Sequence, residues 1–249
     1  MTIKNLSTRR RVALVTATAA ALLVPASVAG ASIESGAGPG WPATLSPRDF
    51  VKRVDNPWFP LATGSKWRYR GAKDTPMTDR VRVTDRKKTI LGVRVTVVHD
   101  EVLVHGRPEE VTNDFYAQDR HGNVWYFGEH TKELNRHGEV TSREGSFKAG
   151  RDGARAGLYF PAHPRPGVSA RQELFQGHAE DYFEIAERNA HVSVPYVSTD
   201  HAVRTKEGTP LEPNVLDNKY YVRGVGTVRE IAVKGPKEVL ELVSFKKGG

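Results

Sequence analysis

Two stretches of the chain set groups capable of chemistry side by side. The first, DFYAQDRHGNVWYFGEHT at residues 114–131, holds five aromatic residues, three acids and two histidines. The second runs Arg171-Gln172-Glu173-Leu174-Phe175-Gln176-Gly177-His178-Ala179-Glu180-Asp181-Tyr182-Phe183 and sets one arginine among three acids. Carboxyls beside aromatic rings can anchor a ligand, trade protons or hold a metal. Which of these applies depends on the faces they share.

In the first stretch, Asp119-Arg120-His121-Gly122-Asn123 suits a type I turn followed by a left-handed glycine. Such a turn gives a hairpin with a bulge at Gly122. Its register pairs Asp119 with Asn123, Ala117 with Trp125 and Phe115 with Phe127. One face then carries Phe115, Ala117, Trp125 and Phe127, and the other Asp114, Tyr116, Gln118, Val124 and Tyr126. A two-residue loop would mix these faces, and register follows the buried face. A calcium loop needs several oxygens at fixed spacing, and this loop has one acid. On the bulged register Asn113 and Glu129 join the apolar face. Glu129 either sits at a rim in water, pairs with a cation across the mouth, or lines a pocket floored by Trp125 and Phe127.

In the second stretch two strands meet at Gln176-Gly177-His178. Arg171, Glu173 and Phe175 share one face, and Asp181, Phe183 and Ile185 share a face of the next strand. Arg171 with Glu173 or Asp181 is a cross-strand ion pair, a carboxylate anchor in a cavity, or part of an acid–base pair; buried and unpaired it would be costly. The candidate ligand-binding residues are therefore Trp125, Phe127, Glu129, Arg171, Glu173 and Asp181. A metal at His178 and Glu180 lacks supporting spacing, the nine histidines are dispersed, and no nucleophile-elbow, phosphate-loop or dinucleotide glycine motif occurs. No catalytic residue, cofactor or metal is implied.

The elements that must position these residues are strands. From Lys66 onward the period is two: Val81 and Val83 alternate with arginines, as do Val93, Val95 and Val97 with Arg94 and Thr96. Further strands read at 102–105, 109–118, 123–129, 169–176, 179–187, 218–223, 226–233 and 238–245, many separated by Gly or Pro. The expected fold is all-β: one antiparallel meander curled into a partly open, lipocalin-like or lipoprotein-carrier-like barrel. A short N-terminal helix begins at Ser46, with Pro47 and Asp49 in its first turn. Residues 141–168 form one long connection, either a binding loop or a packed surface excursion.

Ahead of this domain, Lys4 and Arg9-Arg10-Arg11 precede an apolar run at 12–24, Pro25 and Ala29-Gly30-Ala31. That is the layout of a secretory signal, too short to span a bilayer. The expected division is a signal peptide at 1–31, a flexible leader at 32–45 and a single β-barrel-like domain at 46–249. The chain has no cysteine, which removes disulfides, thiolate sites and a lipid anchor on cysteine. Removing residues 1–31 takes four of the 37 basic residues and none of the 29 acidic ones, leaving +4. The basic residues look scattered, Arg86-Lys87-Lys88 reads as a solvated turn and Lys246-Lys247 as a tail, so no nucleic-acid partner is expected. A secreted species without a stable membrane anchor follows; oligomeric state is open.

Asn56-Pro57-Trp58-Phe59-Pro60-Leu61 with Gly64-Ser65-Lys66-Trp67, the hairpin from Asp119 to Glu129, and Lys219-Tyr220-Tyr221-Val222-Arg223-Gly224-Val225-Gly226-Thr227-Val228-Arg229-Glu230 together resemble an uncharacterised family of secreted bacterial proteins. Arg171-Gln172-Glu173 and residues 177–181 share the likeness. The closing Tyr-x-x-Gly-Val-Gly-x-Val hairpin is similar to that of periplasmic lipoprotein-carrier and lipocalin-like half-barrels. The resemblance implies an antiparallel barrel around an apolar cavity and transfers no catalytic residue.

Three functions stay open. The leading one is a secreted barrel binding a small apolar or amphipathic molecule in its cavity. The others are an extracellular hydrolase or lyase using Glu173 with Asp181 or Glu129, whose carboxyls would stand ~5–9.5 Å apart, and a cell-envelope interaction module without a ligand. Cleavage after Ala31 predicts a mature chain beginning near Ser32. N-terminal sequencing of protein recovered outside the cytoplasmic membrane checks this, and an intact residue 1–31 segment there counts against it.

Overall fold

The computed structural model describes residues 33–73 and 75–249; the expected signal segment lies outside them. The stretch expected as a flexible leader is ordered instead. Strand β1 (Ile33–Glu34) pairs with β2 (Thr44–Leu45). Ala37 and Leu45 are buried, and Trp41 Nε1 donates to the Ser169 carbonyl. The few apolar residues of this Gly-rich run find a surface to cover, and their burial outweighs its low propensity.

The helix expected from Ser46 is corrected to a single 3-10 turn, Pro47–Asp49, and no α-helix occurs among the described residues. Ser46 and Asp49 do form the capping box that their spacing implies. Beyond it Phe50 is extended and bridges to Asp119, Val51 N–H donates to the Gln118 carbonyl, and Arg120 N–H to the Asp49 carbonyl. Phe50 packs edge-on against Phe127 at 5.3 Å. Pairing with the hairpin takes the backbone groups a helix would have used.

The rest is strand. In order come β3 (Lys66–Lys73), β4 (Thr75–Ile90), β5 (Val93–Val104), β6 (Arg107–Gln118), β7 (Val124–Leu134), β8 (Val140–Ser142), β9 (Phe147–Lys148) and β10 (Arg155–Phe160). Then follow β11 (Ser169–Arg171), β12 (Glu173–Leu174), β13 (Tyr182–Ser193), β14 (Ser198–Gly208), β15 (Leu216–Val222), β16 (Gly226–Lys234) and β17 (Glu238–Lys246). They form one 15-stranded antiparallel sheet in the order β11-β13-β14-β15-β16-β17-β3-β4-β5-β6-β7-β10-β12, with β8 and β9 also paired to β7.

The two ends of this path, β11 and β12, are consecutive in the chain, separated only by Gln172. The backbone thus crosses from one edge of the sheet to the other, and the sheet is a nearly closed barrel. At the crossing Gln172 and Glu173 both donate N–H bonds to the Asp181 carbonyl, at 2.7 and 3.1 Å. The approach is close enough that a Cβ on Gly157 would lie 2.1 Å from the Gln172 carbonyl oxygen.

Two local readings change. Arg86-Lys87-Lys88 is not a turn; it lies inside β4, with Arg86 in a bulge between Val83 and Lys87 and pairing resumed from Lys87. The 141–168 connection contains β9 and β10, so it builds part of the wall.

The β6–β7 hairpin keeps the expected turn. Gly122 has φ +85°, its N–H donates to the Asp119 carbonyl, and Asp119 N–H donates to the Asn123 carbonyl. The buried Asp119 carboxylate accepts from the N–H groups of His121 and Asn123 and from Trp125 Nε1, each at 2.9 Å. Ala117 faces Trp125 as expected, and Tyr116 faces Tyr126. Phe115 does not pair with Phe127. A bulge intervenes, and Asp114 next meets Glu129. The extra residue is Gly128, at φ +120°, where a Cβ would lie 2.3 Å from the Phe147 carbonyl oxygen.

These two glycines share conformational strain and differ in how much collision joins it. Gly122→Ala is expected to lose about 1 kcal/mol or more, mainly from positive φ, with a Cβ 3.3 Å from that of Ala162. Gly128→Ala adds overpacking against backbone and should lose a further ~1–3 kcal/mol. Chemical denaturation at unchanged slope measures both, and equal losses would count against the bulge.

Candidate functional site

The inward faces of the barrel enclose a cavity of about 270 Å³. Phe59, Pro60 and Leu61 close one end of it. This plug is latched by Asn56, which is buried. Its N–H donates to Gln118 Oε1 at 2.7 Å, its Nδ2 to the Gly122 carbonyl at 2.8 Å, and its Oδ1 accepts from Trp58 N–H at 2.8 Å. Gly224 N–H donates to the Pro57 carbonyl and Trp67 Nε1 to the Val225 carbonyl. The sequence pieces Asn56–Leu61, Gly64–Trp67 and Gly224–Gly226 therefore meet at the closed end.

Aromatic rings line the wall next to the plug. Tyr116 packs against Phe59, Tyr126 and Tyr159 with ring centres 4.9–5.2 Å apart. Tyr69 donates its hydroxyl to the Thr227 carbonyl at 2.9 Å. Among and beyond these rings, seven carboxyl side chains face the cavity: Asp79, Asp100, Asp114, Glu129, Glu173, Asp181 and Glu230. One ammonium, Lys219, accompanies them.

The two sides of the cavity differ in how these charges are met. On one, Lys219 lies 3.1 Å from Glu207 and 3.5 Å from Glu230. Burial opposes its charge, but Glu207 and Glu230 overcome that and hold the ammonium well above its usual range. Glu207 also accepts from Thr205 at 2.7 Å and Tyr221 at 2.9 Å. Burial raises Glu230, with Lys219 pulling the other way.

On the other side no cation stands by among the described residues. Tyr126 Oη lies 2.7 Å from Asp114 Oδ1 and 2.9 Å from Glu129 Oε2. One hydroxyl carries one proton, so both contacts are satisfied only when one carboxyl keeps its own. Burial and then the Asp100 charge push Asp114 up to about 7. Burial and then the Asp114 charge push Glu129 up to about 8, against donation by Thr131 Oγ1 at 2.7 Å. Burial lifts Asp79 to about 6, opposed by a hydrogen bond from Asp100, which burial and Asp79 hold well above the carboxylate range. The Oδ1 atoms of Asp79 and Asp100 are buried and have no hydrogen-bond partner outside this carboxyl pair. Burial and the neighbouring Asp181 also raise Glu173.

The cavity thus gathers Glu129, Glu173 and Asp181 among the residues singled out in sequence, with Asp181 exposed at the mouth. It does not gather Trp125, Phe127 or Arg171. Trp125 and Phe127 are fully buried but on the opposite face of the hairpin, against Asp119 and Phe50. Glu129 leaves their face because of the bulge at Gly128. Asn113 faces outward and accepts from Arg86 at 3.1 Å. Arg171 pairs with neither Glu173 nor Asp181. It donates to the Glu180 carbonyl at 2.8 Å and stands 3.9 Å from the Glu180 carboxylate, over a third exposed. A pair this open is worth only ~0–1 kcal/mol.

Asp79, Asp100, Asp114, Tyr126, Lys219 and Glu230 were legible only by phase. Asp79 alternates in step with Val81 and Val83, and Asp100 with Val98, which places each acid on the apolar face. Outside, the basic residues are not scattered. Cross-strand pairing sets Lys246 opposite Lys66, Lys66 opposite Arg82, and Arg68 opposite Arg80, all exposed. Among the described residues no group of three or more His, Asp or Glu converges to hold a metal ion.

The molecule is a nearly closed antiparallel barrel with an acid- and tyrosine-lined interior. No family profile matches the chain, and no curated protein matches it. Two solved structures are similar. One is a Bacteroides fragilis protein named as exported with a YmcC-like fold, at TM-score 0.44 and 14% identity, covering 76% of this chain and 99% of that one. The other is a Parabacteroides distasonis protein named as a lipoprotein, at TM-score 0.41 and 11% identity, covering 76% and 98%.

The raised carboxyls fix a pH dependence. Each holds its proton more tightly folded than unfolded, so the native state binds more protons between about pH 4 and 8. Stability is then greatest below the unfolded values and falls as pH rises through that window. Glu129→Gln should flatten the fall and stabilise the protein at pH 8.5 by roughly 1–4 kcal/mol. Stability that rises steadily from pH 5 to 8 would contradict the assignment.

Proposed function

We propose that this protein is an exported binding protein that holds a small amphipathic molecule inside its barrel. The observation that carries the reading is the cavity of about 270 Å³, which combines a cluster of aromatic rings at its closed end with a few convergent polar groups. Ligand sites have this composition, mostly apolar with placed polar groups. Filling the lumen with hydrocarbon would stabilise a purely structural barrel better than lining it with carboxyls, so their retention favours a use. The signal-like residues 1–31 support export.

The polar end is Asp79, Asp100, Asp114 and Glu129. The apolar end is the tyrosine cluster under Phe59 and Leu61. Trp125, Phe127 and Arg171 take structural parts in this reading, while Glu129, Glu173 and Asp181 keep contact with the ligand or its path. A second reading, acid–base catalysis, is favoured by one observation: Asp114 and Glu129 titrate near neutrality while sharing Tyr126.

Native mass spectrometry of the full chain recovered from its host tests the binding reading. A bound small molecule that is released on denaturation is expected. Tyr116→Trp, which adds bulk at the aromatic end of the cavity, should weaken the adduct. An adduct unchanged by this variant would place the ligand elsewhere and overturn the assignment. Chemical conversion of the bound molecule by wild type, lost in Glu129→Gln, would favour the second reading.

A further inference from the structure

We infer that the outer wall of the barrel is a second binding surface, for a linear acidic polysaccharide laid across the strands from Lys246 to His130. This surface is separate from the cavity and opposite to it in sign, so the inference stands apart from the binding reading above.

Direct cross-strand pairing lines up one outward row. Lys246 on β17 stands opposite Lys66 on β3, and Lys66 opposite Arg82 on β4. Arg82 faces His99 on β5, His99 faces Asn113 on β6, and Asn113 faces His130 on β7. Arg86 reaches onto the row and donates to Asn113 at 3.1 Å, and Arg143 stands 3.2 Å from His130 at its end. A parallel row on the same face runs Ser244, Arg68, Arg80, Glu101, Val111 and Lys132. The two rows together hold one acid, Glu101, 3.7 Å from Arg80. At the β17 end they border a groove of about 500 Å³ whose charged walls are Lys66, Arg68, Arg80, Arg82 and Lys246, with Glu101.

Such a row opposes folding. Like charges directly opposite one another destabilise a sheet, and Lys246, Lys66 and Arg82 come three in succession, all exposed. At the far end, burial and then the charges of Arg143, Lys132 and Lys88 hold His130 below its usual range. Solubility asks only for charges of both signs interspersed. A bound polyanion relieves the repulsion, and the relief adds to its affinity.

The geometry selects a flexible chain as the occupant. The row crosses consecutive strands from β17 to β7, nearly half of the path around the barrel. Neighbouring strands lie about 4.8 Å apart, so the row is roughly 24 Å long and curves with the wall. A bilayer is flat on this scale and touches a convex wall at one place. None of the large exposed apolar side chains among the described residues lies on either row to enter it. Proteins that hold single-stranded nucleic acid add aromatic side chains on which bases stack, and neither row carries one. A polysaccharide with a carboxylate on each ring follows the curve and meets a hydrogen-bond donor at every strand. The strand spacing is close to the length of one pyranose ring, so the two repeats keep step. Arginine's planar fork matches a carboxylate.

Five probes test the inference with the full chain at ~0.15 M ionic strength. They are oligogalacturonates of ten and three residues, a maltooligosaccharide of ten residues, a ten-nucleotide oligothymidylate, and vesicles of phosphatidylglycerol and phosphatidylcholine. Calorimetry reads the soluble probes and co-sedimentation the vesicles. The galacturonate decamer is expected to bind at least tenfold tighter than the trimer, and the neutral maltooligosaccharide not measurably. Lys66→Gln combined with Arg82→Gln should weaken the decamer at least tenfold. Arg165→Gln combined with Arg188→Gln removes the same charge from exposed positions off the rows and should leave it within threefold. The row variant loses a repulsion, so its melting temperature should not fall. Thermal melting verifies that both variants are folded; if the row variant is not, the wild-type order of the probes decides alone. A decamer that does not bind, or that binds the folded row variant as tightly as wild type, overturns the inference. Equal weakening by the two double variants does so too, because net charge alone would then account for binding. Tighter binding of the oligothymidylate or the vesicles than of the decamer gives the wall to a nucleic acid or a membrane instead. The cavity reading is untouched by any of these results, since the native mass spectrum tests it separately.

Discussion

The barrel has an interior because the backbone changes edges at Gln172. Without that crossing, β11 and β12 would be the two open margins of a very long sheet, each with a row of unpaired backbone groups. The crossing is held from both sides. Inside, the Asp181 carbonyl accepts from Gln172 and Glu173, and Gln172 Nε2 reaches the Tyr159 carbonyl at 3.4 Å. Outside, the N-terminal segment lies across the seam: Gly36 N–H donates to the Ala156 carbonyl on β10, and Arg171 N–H on β11 donates to the Ala37 carbonyl. A stretch that reads as a Gly-rich leader is therefore the strap over the junction. Gly36 and Gly157 sit where it must pass close, since a Cβ on either would lie within 2.6 Å of Leu174 or the Gln172 backbone.

Closure creates an inside that water enters only through the mouth, and the pleat then sorts charge. On β3 and β4 the exposed positions include Lys66, Arg68, Arg80 and Arg82, while Asp79 points inward next to Arg80 in sequence. Neighbours along a strand project to opposite faces, so the outward cations cannot neutralise the inward acids. The net charge of +4 that remains beyond residue 31 thus conceals a lumen of opposite sign. Like charges directly opposite on the outer face and uncompensated carboxyls on the inner one both oppose folding. The aromatic cluster and the continuous hydrogen-bond ladder around the barrel outweigh them.

The same inward acids explain which parts of the fold were legible in the sequence. Strands with apolar inward positions, such as Val93-Val95-Val97, announced themselves by period. Strand β14 did not, because its inward positions run Val203, Thr205 and Glu207, and a polar inward face erases the alternation that marks a half-buried strand. The Asp119 turn was legible because its chemistry is local: a carboxylate bonding its own loop and a glycine at positive φ. The helix after Ser46 was overcalled because the capping signal is also local, whereas the partner that straightens Phe50 lies about seventy residues away. The site was half legible. Glu129, Glu173 and Asp181 stood out as acids beside aromatics, but which face became the lumen depends on curvature, and a two-residue period carries no sign for that.

The bulge at Gly128 decides the site. In an unbroken hairpin Phe127 and Glu129 would share a face, and Glu129 would point outward with Trp125. One extra residue after Phe127 returns Glu129 to the face of Tyr126 and brings it opposite Asp114. Bulges of this kind re-aim side chains beside functional sites. Here the consequence is electrostatic. With Glu129 outside, the Tyr126 proton would satisfy Asp114 alone and the pair would not exist. With Glu129 inside, two carboxyls compete for one proton in a cavity with no free cation on that side, and each raises the other. The residue that makes this possible has no side chain, because Phe147 of β9 runs across the bulge at backbone contact. The short strands inserted between β7 and β10 thus do more than fill a long connection: they brace the bulge that turns Glu129 inward.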